Sequence, residues 1–383
     1  MFEGLLKEIR EAQHFPADGP VALHAPVFSG KEKQYVLDTI ESTFVSSVGA
    51  YVSRFEEMLC QLTGAQYAVA CCNGTSALEM ALRLSGVSAG ELVLTQPLSF
   101  VATANAIAHI GAEPVFLDIE RATLGLSPTA VQTFLEAQCR CDDGTCRLKE
   151  TGQRIAACVP MHSFGLPVRM DELTALCNEW HIPVVEDAAE ALGSVYKSRH
   201  CGTMGKLGAL SFNGNKTVTT GGGGAILTND KELGVRAKHL TTTAKIPHPW
   251  EYRHDAVAWN FRLPNLNAAL GCAQLEQLET FLAVKRKRAF AYEEVFRKTD
   301  WEFVTEPADS RSNYWLCAVL TNSLAERNAF LKEANDSGLG TRPAWEPLHT
   351  LPMYQHCRRG DLSETMNIAS RLVNLPSGVG ELA

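Results

Sequence analysis

Lys216 lies in the run Ser211-Phe212-Asn213-Gly214-Asn215-Lys216-Thr217-Val218-Thr219-Thr220 and is followed by four glycines, Gly221 to Gly224. Upstream, the apolar stretch Ile182-Pro183-Val184-Val185 ends in Glu186-Asp187. A lysine amine can condense with an aldehyde, and a carboxylate at a strand end can pair with a pyridinium nitrogen. An acid at a strand end, a serine-bearing turn, a lysine and then a glycine run suggest a site for pyridoxal 5′-phosphate (PLP). Lys216 would carry the aldehyde as a Schiff base, and Asp187 would keep the ring nitrogen protonated. A lone lysine is ordinarily a solvated surface group; here three further motifs converge on the same site.

Asn73-Gly74-Thr75-Ser76-Ala77-Leu78 follows a predicted strand and opens a predicted helix. Free N–H groups and the positive end of the dipole there suit a phosphate, with Thr75 and Ser76 adding hydroxyls; alone, the same residues fit an ordinary N-cap equally well. Phe100, in Thr95-Gln96-Pro97-Leu98-Ser99-Phe100, is either a core residue or an aromatic that stacks on the cofactor ring. Glu190, three residues after Asp187, could reach the ring hydroxyl, while Glu186 should face the other way. Ser211 could bind the phosphate and Asn213 shape the turn. The glycine run either admits a ligand close to the backbone or is only a flexible turn. Asn260 and Arg262 have no reading from spacing alone.

These residues need a scaffold. Short apolar runs at Tyr67–Cys71, Leu92–Thr95, Pro114–Leu117, Ile155–Pro160, Pro183–Glu186, Ala209–Phe212 and Gly224–Thr228 alternate with helical patterns at Thr75–Leu84, Val101–Ile110, Pro128–Ala137, Met170–His181 and Lys231–Leu240. That alternation predicts an α/β fold, a largely parallel sheet with helices on both faces and its ligand site at the strands' carboxyl ends. Lys31–Thr43 and Ala50–Leu62 read as leading helices and Asn265–Arg297 as one or two more. From Trp301 the pattern suggests a smaller α+β domain, with a strand at Tyr314–Leu320 and helices at Leu324–Asn335 and Ser363–Leu372. The expected division is 1–264, an N-terminal segment with the large domain, and 265–383, a linking helix with the small domain.

The 383 residues are 45% hydrophobic and 20% charged, with 43 acidic against 35 basic side chains and a formal net charge of −8. The balance argues against a nucleic-acid partner. No apolar run is long enough to cross a membrane, and the N-terminus lacks a signal-peptide core. The twelve cysteines are scattered, several in apolar segments, and suggest a reduced, cytoplasmic protein without metal. Cys139, Cys141 and Cys146 fit a metal site poorly and read as part of a surface insertion.

Taken together, Asn73-Gly74-Thr75-Ser76-Ala77-Leu78, Ser99-Phe100-Val101-Ala102-Thr103, Glu186-Asp187-Ala188-Ala189-Glu190-Ala191, Ser211-Phe212-Asn213-Gly214-Asn215-Lys216 and Asn260-Phe261-Arg262 resemble the DegT/StrS-type nucleotide-sugar aminotransferases of PLP fold type I. The resemblance runs from about Leu23 to Pro376. It implies Lys216 as the Schiff-base lysine, Asp187 as the pyridinium partner and Glu190 at the ring hydroxyl. It implies Gly74, Thr75, Ser76 and Ser211 at the phosphate, Phe100 on the ring, and Asn260 reaching the cofactor of a neighbouring subunit in a homodimer with shared sites. Lysine rather than histidine at 216 argues for transamination over dehydration. Within Gly221–Gly224 a glycine stands where most members have glutamate. With Ser46-Ser47-Val48-Gly49 and Arg342-Pro343-Ala344-Trp345, this resembles the branch forming UDP-4-amino-4,6-dideoxy-N-acetylhexosamines for bacillosamine or legionaminic acid, with L-glutamate as donor. Arg342, Trp345, His349 and the segment Lys245–Arg253 are candidate substrate contacts, each equally readable as packing or surface. The competing functions are a C3- or GDP/dTDP-sugar aminotransferase and a regulator that binds PLP without turnover. A dinucleotide-dependent dehydrogenase is excluded because no Gly-x-Gly-x-x-Gly opens the first strand–helix unit.

Overall fold

The computed structural model describes residues 2–380. Seven strands form the main sheet: β1 (Tyr67–Cys71), β2 (Leu92–Thr95), β3 (Glu113–Phe116), β4 (Ile155–Val159), β5 (Val185–Asp187), β6 (Leu207–Ser211) and β7 (Gly224–Thr228). Ladders give β1-β7-β6-β5 and β3-β2-β4, and parallel bridges Cys158 to Val184 and Met161 to Asp187 join the two sets. The order is therefore β1-β7-β6-β5-β4-β2-β3, parallel except for β7. The central strands are apolar throughout because both faces are covered; β4, Ile-Ala-Ala-Cys-Val, is buried at every position.

The chain opens with α1 (Glu3–Ala12), which packs with the C-terminal part, and the other helices before residue 264 are α2 (Glu32–Glu41), α3 (Ala50–Thr63), α4 (Gly74–Leu84), α5 (Ala102–His109), α6 (Pro128–Gln138), α7 (Met170–Glu179) and α8 (Lys231–Thr241). The stretch expected as one or two helices is two, α9 (Asn265–Leu275) and α10 (Leu278–Phe296). A second sheet, antiparallel throughout, is built from β8 (Glu302–Phe303), β9 (Cys317–Leu320), β10 (Arg342–Pro343) and β11 (Leu372–Leu375) in the order β8-β9-β11-β10. The helices α11 (Leu324–Asp336) and α12 (Ser363–Arg371) complete this part.

Several expectations need correction at their ends. β3 starts at Glu113 and stops before Leu117, β5 extends to Asp187 and β6 starts at Leu207. In each case neighbouring-strand pairing, invisible to local pattern, sets the limit. The strand expected from Tyr314 begins only at Cys317, because the backbone N–H groups of Asn313, Tyr314 and Trp315 are taken by side chains instead. The Cys139–Cys146 insertion is a hairpin, Cys139–Asp142 against Thr145–Leu148, turning at Asp143-Gly144 with both residues at positive φ.

Candidate active site

The carboxyl ends of β4, β5 and β6 meet around two acids. Asp187 ends β5, donates its N–H to Pro160 O at 2.9 Å and accepts from His162 N at 3.1 Å, which fixes the strand end. Its carboxylate accepts from Thr103 Oγ1 at 2.7 Å and from Ala189 N at 3.2 Å. Thr103 Oγ1 in turn lies 2.6 Å from Ser99 Oγ. Burial pushes the Asp187 carboxyl above its ordinary range, and the Thr103 hydroxyl opposes that shift. A buried carboxylate short of a counter-charge suits a pyridinium N–H.

Glu190 sits one turn on, fully buried. Oε2 accepts from Phe164 N at 2.8 Å, and Oε1 accepts from Lys216 Nζ at 3.1 Å. Burial raises its carboxyl to about 7, against the pull of the Lys216 ammonium. Phe164 holds a left-handed backbone, φ 58°, to aim its N–H at this oxygen. The other face of Lys216 Nζ rests on the Trp315 ring, 3.9 Å from its centroid. Trp315 Nε1 donates to Asn215 O, and Lys216 N donates to Asn213 O, so the lysine's own turn is fastened on both sides.

Glu186 does face the other way. It accepts from Gly202 N, Met204 N and Gly205 N at 2.7, 2.6 and 2.6 Å, and lies 3.0 Å from His162 Nε2. Val168 N donates to His162 Nδ1, so the ring's proton on Nε2 points at Glu186. Burial would raise this carboxyl, but these donors hold it below the usual range. Glu186 pins the loop 202–205 and takes no part in the Lys216 cluster.

The phosphate expectation fits the geometry. Gly74 opens α4; an added Cβ would lie 2.8 Å from Cβ of Ser211 at the end of β6. Asn73 caps the helix through Ser76 N at 2.8 Å, leaving the Gly74 and Thr75 N–H groups without an intrahelical acceptor. Ser211 Oγ and Thr75 line that mouth. At Gly224, which pairs with both Cys71 and Ser211, a Cβ would come within 2.4 Å of Asn73 O. At Gly223 it would meet Thr220 Oγ1 at 2.2 Å. These two glycines are required by close approach, so the run is more than a flexible turn. Asn213 is exposed and donates to Asn215 Oδ1.

Phe100 is 50% exposed, which removes the core reading and leaves its face free. Asn260 is exposed and accepts from Arg262 Nε, beside the β1–α4 turn, where Cys72 N donates to Phe261 O. Among the substrate candidates, Trp345 stacks on Phe164 with centroids 4.7 Å apart, one ring away from Glu190. His349 is buried on a loop whose Leu348 N donates to Pro97 O, and its Nδ1 has no partner among the described residues. Arg342 donates to Asn335 Oδ1 and Thr341 O within the second sheet's surroundings and joins no hydrogen bond of the Lys216 cluster. Thr103, Phe164 and Trp315 were given no role from the sequence; Thr103 lay within a quoted motif, and the other two carry no spacing signal.

A buried acid for a pyridinium, a lysine facing it and a helix-terminal phosphate mouth on a mostly parallel sheet define the PLP-dependent aminotransferase class. The chain belongs to the DegT/DnrJ/EryC1/StrS aminotransferase family, whose profile matches residues 27–380. It is 36% identical over 366 residues to EpsN of Bacillus subtilis, assigned as a pyridoxal phosphate-dependent aminotransferase, covering 94% of this chain and 91% of that protein. It is 34% identical over 361 residues to the GDP-perosamine synthase of Escherichia coli, covering 93% of each. Among solved structures, the aminotransferase TlmJ of Streptoalloteichus hindustanus aligns with a TM-score of 0.84 at 28% identity, over 94% of both chains. The protein is therefore a PLP-dependent enzyme. No helix among the described residues is long and apolar enough to cross a membrane.

Proposed function

We infer that the enzyme moves an amino group from L-glutamate to C4 of a nucleotide-linked 4-keto-6-deoxy sugar. The observation that carries this reading is the Lys216 amine held between Glu190 and Trp315 beside the buried Asp187. When bound, PLP supplies an electron sink for the pair left behind on a carbon that loses a proton. Lys216 holds the cofactor and, once displaced by the donor, takes that proton at Nζ and returns it nearby. Asp187 would keep the ring nitrogen protonated, and Glu190 would reach the ring hydroxyl. Gly74, Thr75, Ser76 and Ser211 hold the phosphate, with Asn213 shaping the turn, Phe100 covering the ring and Asn260 serving the partner subunit's site. Trp345 and His349 bound the sugar side; Arg342 is kept as a nucleotide contact only.

The subgroup resemblance carried by the glycine run and the Arg342–Trp345 segment favours a UDP-linked N-acetylhexosamine, whereas the 34% identity to a GDP-perosamine synthase favours a GDP-linked sugar. Absorbance of the PLP-loaded enzyme decides. Addition of L-glutamate should bleach the lysine-linked cofactor band, and the preferred 4-keto sugar from a UDP, GDP and dTDP panel should restore it. Bleaching with recovery by no panel sugar would discard the substrate class. Lys216→Ala should lose turnover while still binding pyridoxamine phosphate; retained turnover would overturn the role of Lys216.

A further inference from the structure

We propose that Trp315 is a positioning residue for the Lys216 amine, its indole face carrying Nζ during the interval in which the lysine is free and moves the proton. The proposal rests on the aminotransferase reading and concerns a residue outside the motifs that led to it. Lys216 Nζ has two neighbours of different kinds, the Glu190 carboxylate at 3.1 Å and the Trp315 ring centroid at 3.9 Å. A lysine side chain has four rotatable carbons, and a free amine left to itself samples many positions. Here one side is an acceptor and the other a flat, electron-rich floor, which fixes where the nitrogen sits.

The residue that carries this floor is held at three points, once through its ring and twice through its backbone. Trp315 Nε1 donates to Asn215 O at 2.8 Å, so the ring is tied to the residue preceding the lysine. Trp315 N donates to Asn313 Oδ1 at 2.8 Å, and Asn313 Nδ2 donates to Glu190 O at 2.8 Å, which ties the backbones of the two residues flanking Nζ to one side chain. Trp315 O accepts from Lys285 Nζ at 3.1 Å. Lys285 is fully buried and also donates to Ser377 O at 2.6 Å, with His24 Nε2 at 3.0 Å. Lys285 thereby fixes the backbone of residue 315, from which the ring projects. When Nζ accepts the proton from the donor's α-carbon it becomes an ammonium, the bonding pair staying behind for the cofactor ring. An aromatic face favours the ammonium over the amine. Trp315 thereby favours the proton-bearing state of the group that must hold the proton in mid-transfer, as well as its location.

The test uses the PLP-loaded enzyme, with L-glutamate and α-deuterated L-glutamate as probes. Trp315→Leu should lower kcat about tenfold with little change in KM, the size expected for a partly buried cation–π contact. The deuterium isotope effect on kcat should rise as proton transfer becomes more limiting. Trp315→Phe, which keeps a weaker ring, should fall between. Unchanged kcat and isotope effect, or a raised KM alone, would overturn the proposal while leaving wild-type amine transfer, and hence the aminotransferase reading, intact. If Trp315→Leu does not fold, fluorinated tryptophan incorporated into the wild-type chain and into the Trp315→Phe chain decides. A loss of kcat confined to the chain that retains Trp315 supports the proposal, and an equal response in both overturns it.

Discussion

Glu190 concentrates the site's pH behaviour in one side chain. Buried and bonded to Lys216 and Phe164, its carboxyl sits at about 7 instead of the model-peptide 4.5. The folded chain therefore binds more protons than the unfolded chain between those two values, and stability is lost as pH rises through the interval. Asp187, also raised by burial, acts with the same sign. In the cofactor-free protein, Glu190→Gln should flatten the fall in melting temperature between about pH 4.5 and 7. An unchanged slope in a pH series of thermal melts would show that Glu190 is not the group responsible. The two acids were legible in the sequence, since a strand end followed by Ala-Ala and a third acid places them on one edge. Thr103, Phe164 and Trp315 were not, because each reaches the cluster from a different segment and only tertiary packing brings them together.

At the scale of elements, the contact between β7 and the β1–α4 turn decides whether the phosphate mouth keeps its shape. Gly224 lies against Asn73 O and Gly74 N, where a Cβ would stand at 2.4 and 2.7 Å. Both neighbours are backbone, so neither can rotate away. Gly224→Ala should cost roughly 1–3 kcal/mol, the usual cost of overpacking, and should weaken PLP binding by displacing the start of α4. Calorimetry and a cofactor titration read the two effects separately, and normal PLP affinity would show that the turn tolerates the shift. Strands with long apolar runs, such as β1, β2 and β7, stood where the pattern put them. The two-residue strands β8 and β10 escaped notice, because a pair of residues carries no alternation and their pairing is set by β9 and β11.

For the whole molecule, two segments expose large apolar side chains. Phe44, Val45 and Val48 follow α2, whose Leu37 and Ile40 are also exposed, and a hairpin of Lys245–Ile246 with Arg253–His254 carries Trp250 and Tyr252 into solvent. With Asn260 exposed beside its own β1–α4 turn, this arrangement supports a homodimer with shared sites. Sedimentation should give a dimer, and complementation tests the sharing. Lys216→Ala and Asn260→Ala chains, each inactive alone, should regain up to about a quarter of wild-type activity when refolded together, because random pairing makes half the dimers mixed and each mixed dimer holds one intact site. No recovery would place Asn260 in its own chain's site.

Gly223 and Thr220 bear on how this loop can be exchanged. Thr220 is fully buried, and its hydroxyl occupies the space that any side chain at 223 would enter. No side chain could be introduced at 223 alone; the threonine would have to turn or shrink in the same step. A chimera that brings a side chain to 223 would therefore have to exchange the segment from before Thr220 to beyond Gly224 as one piece.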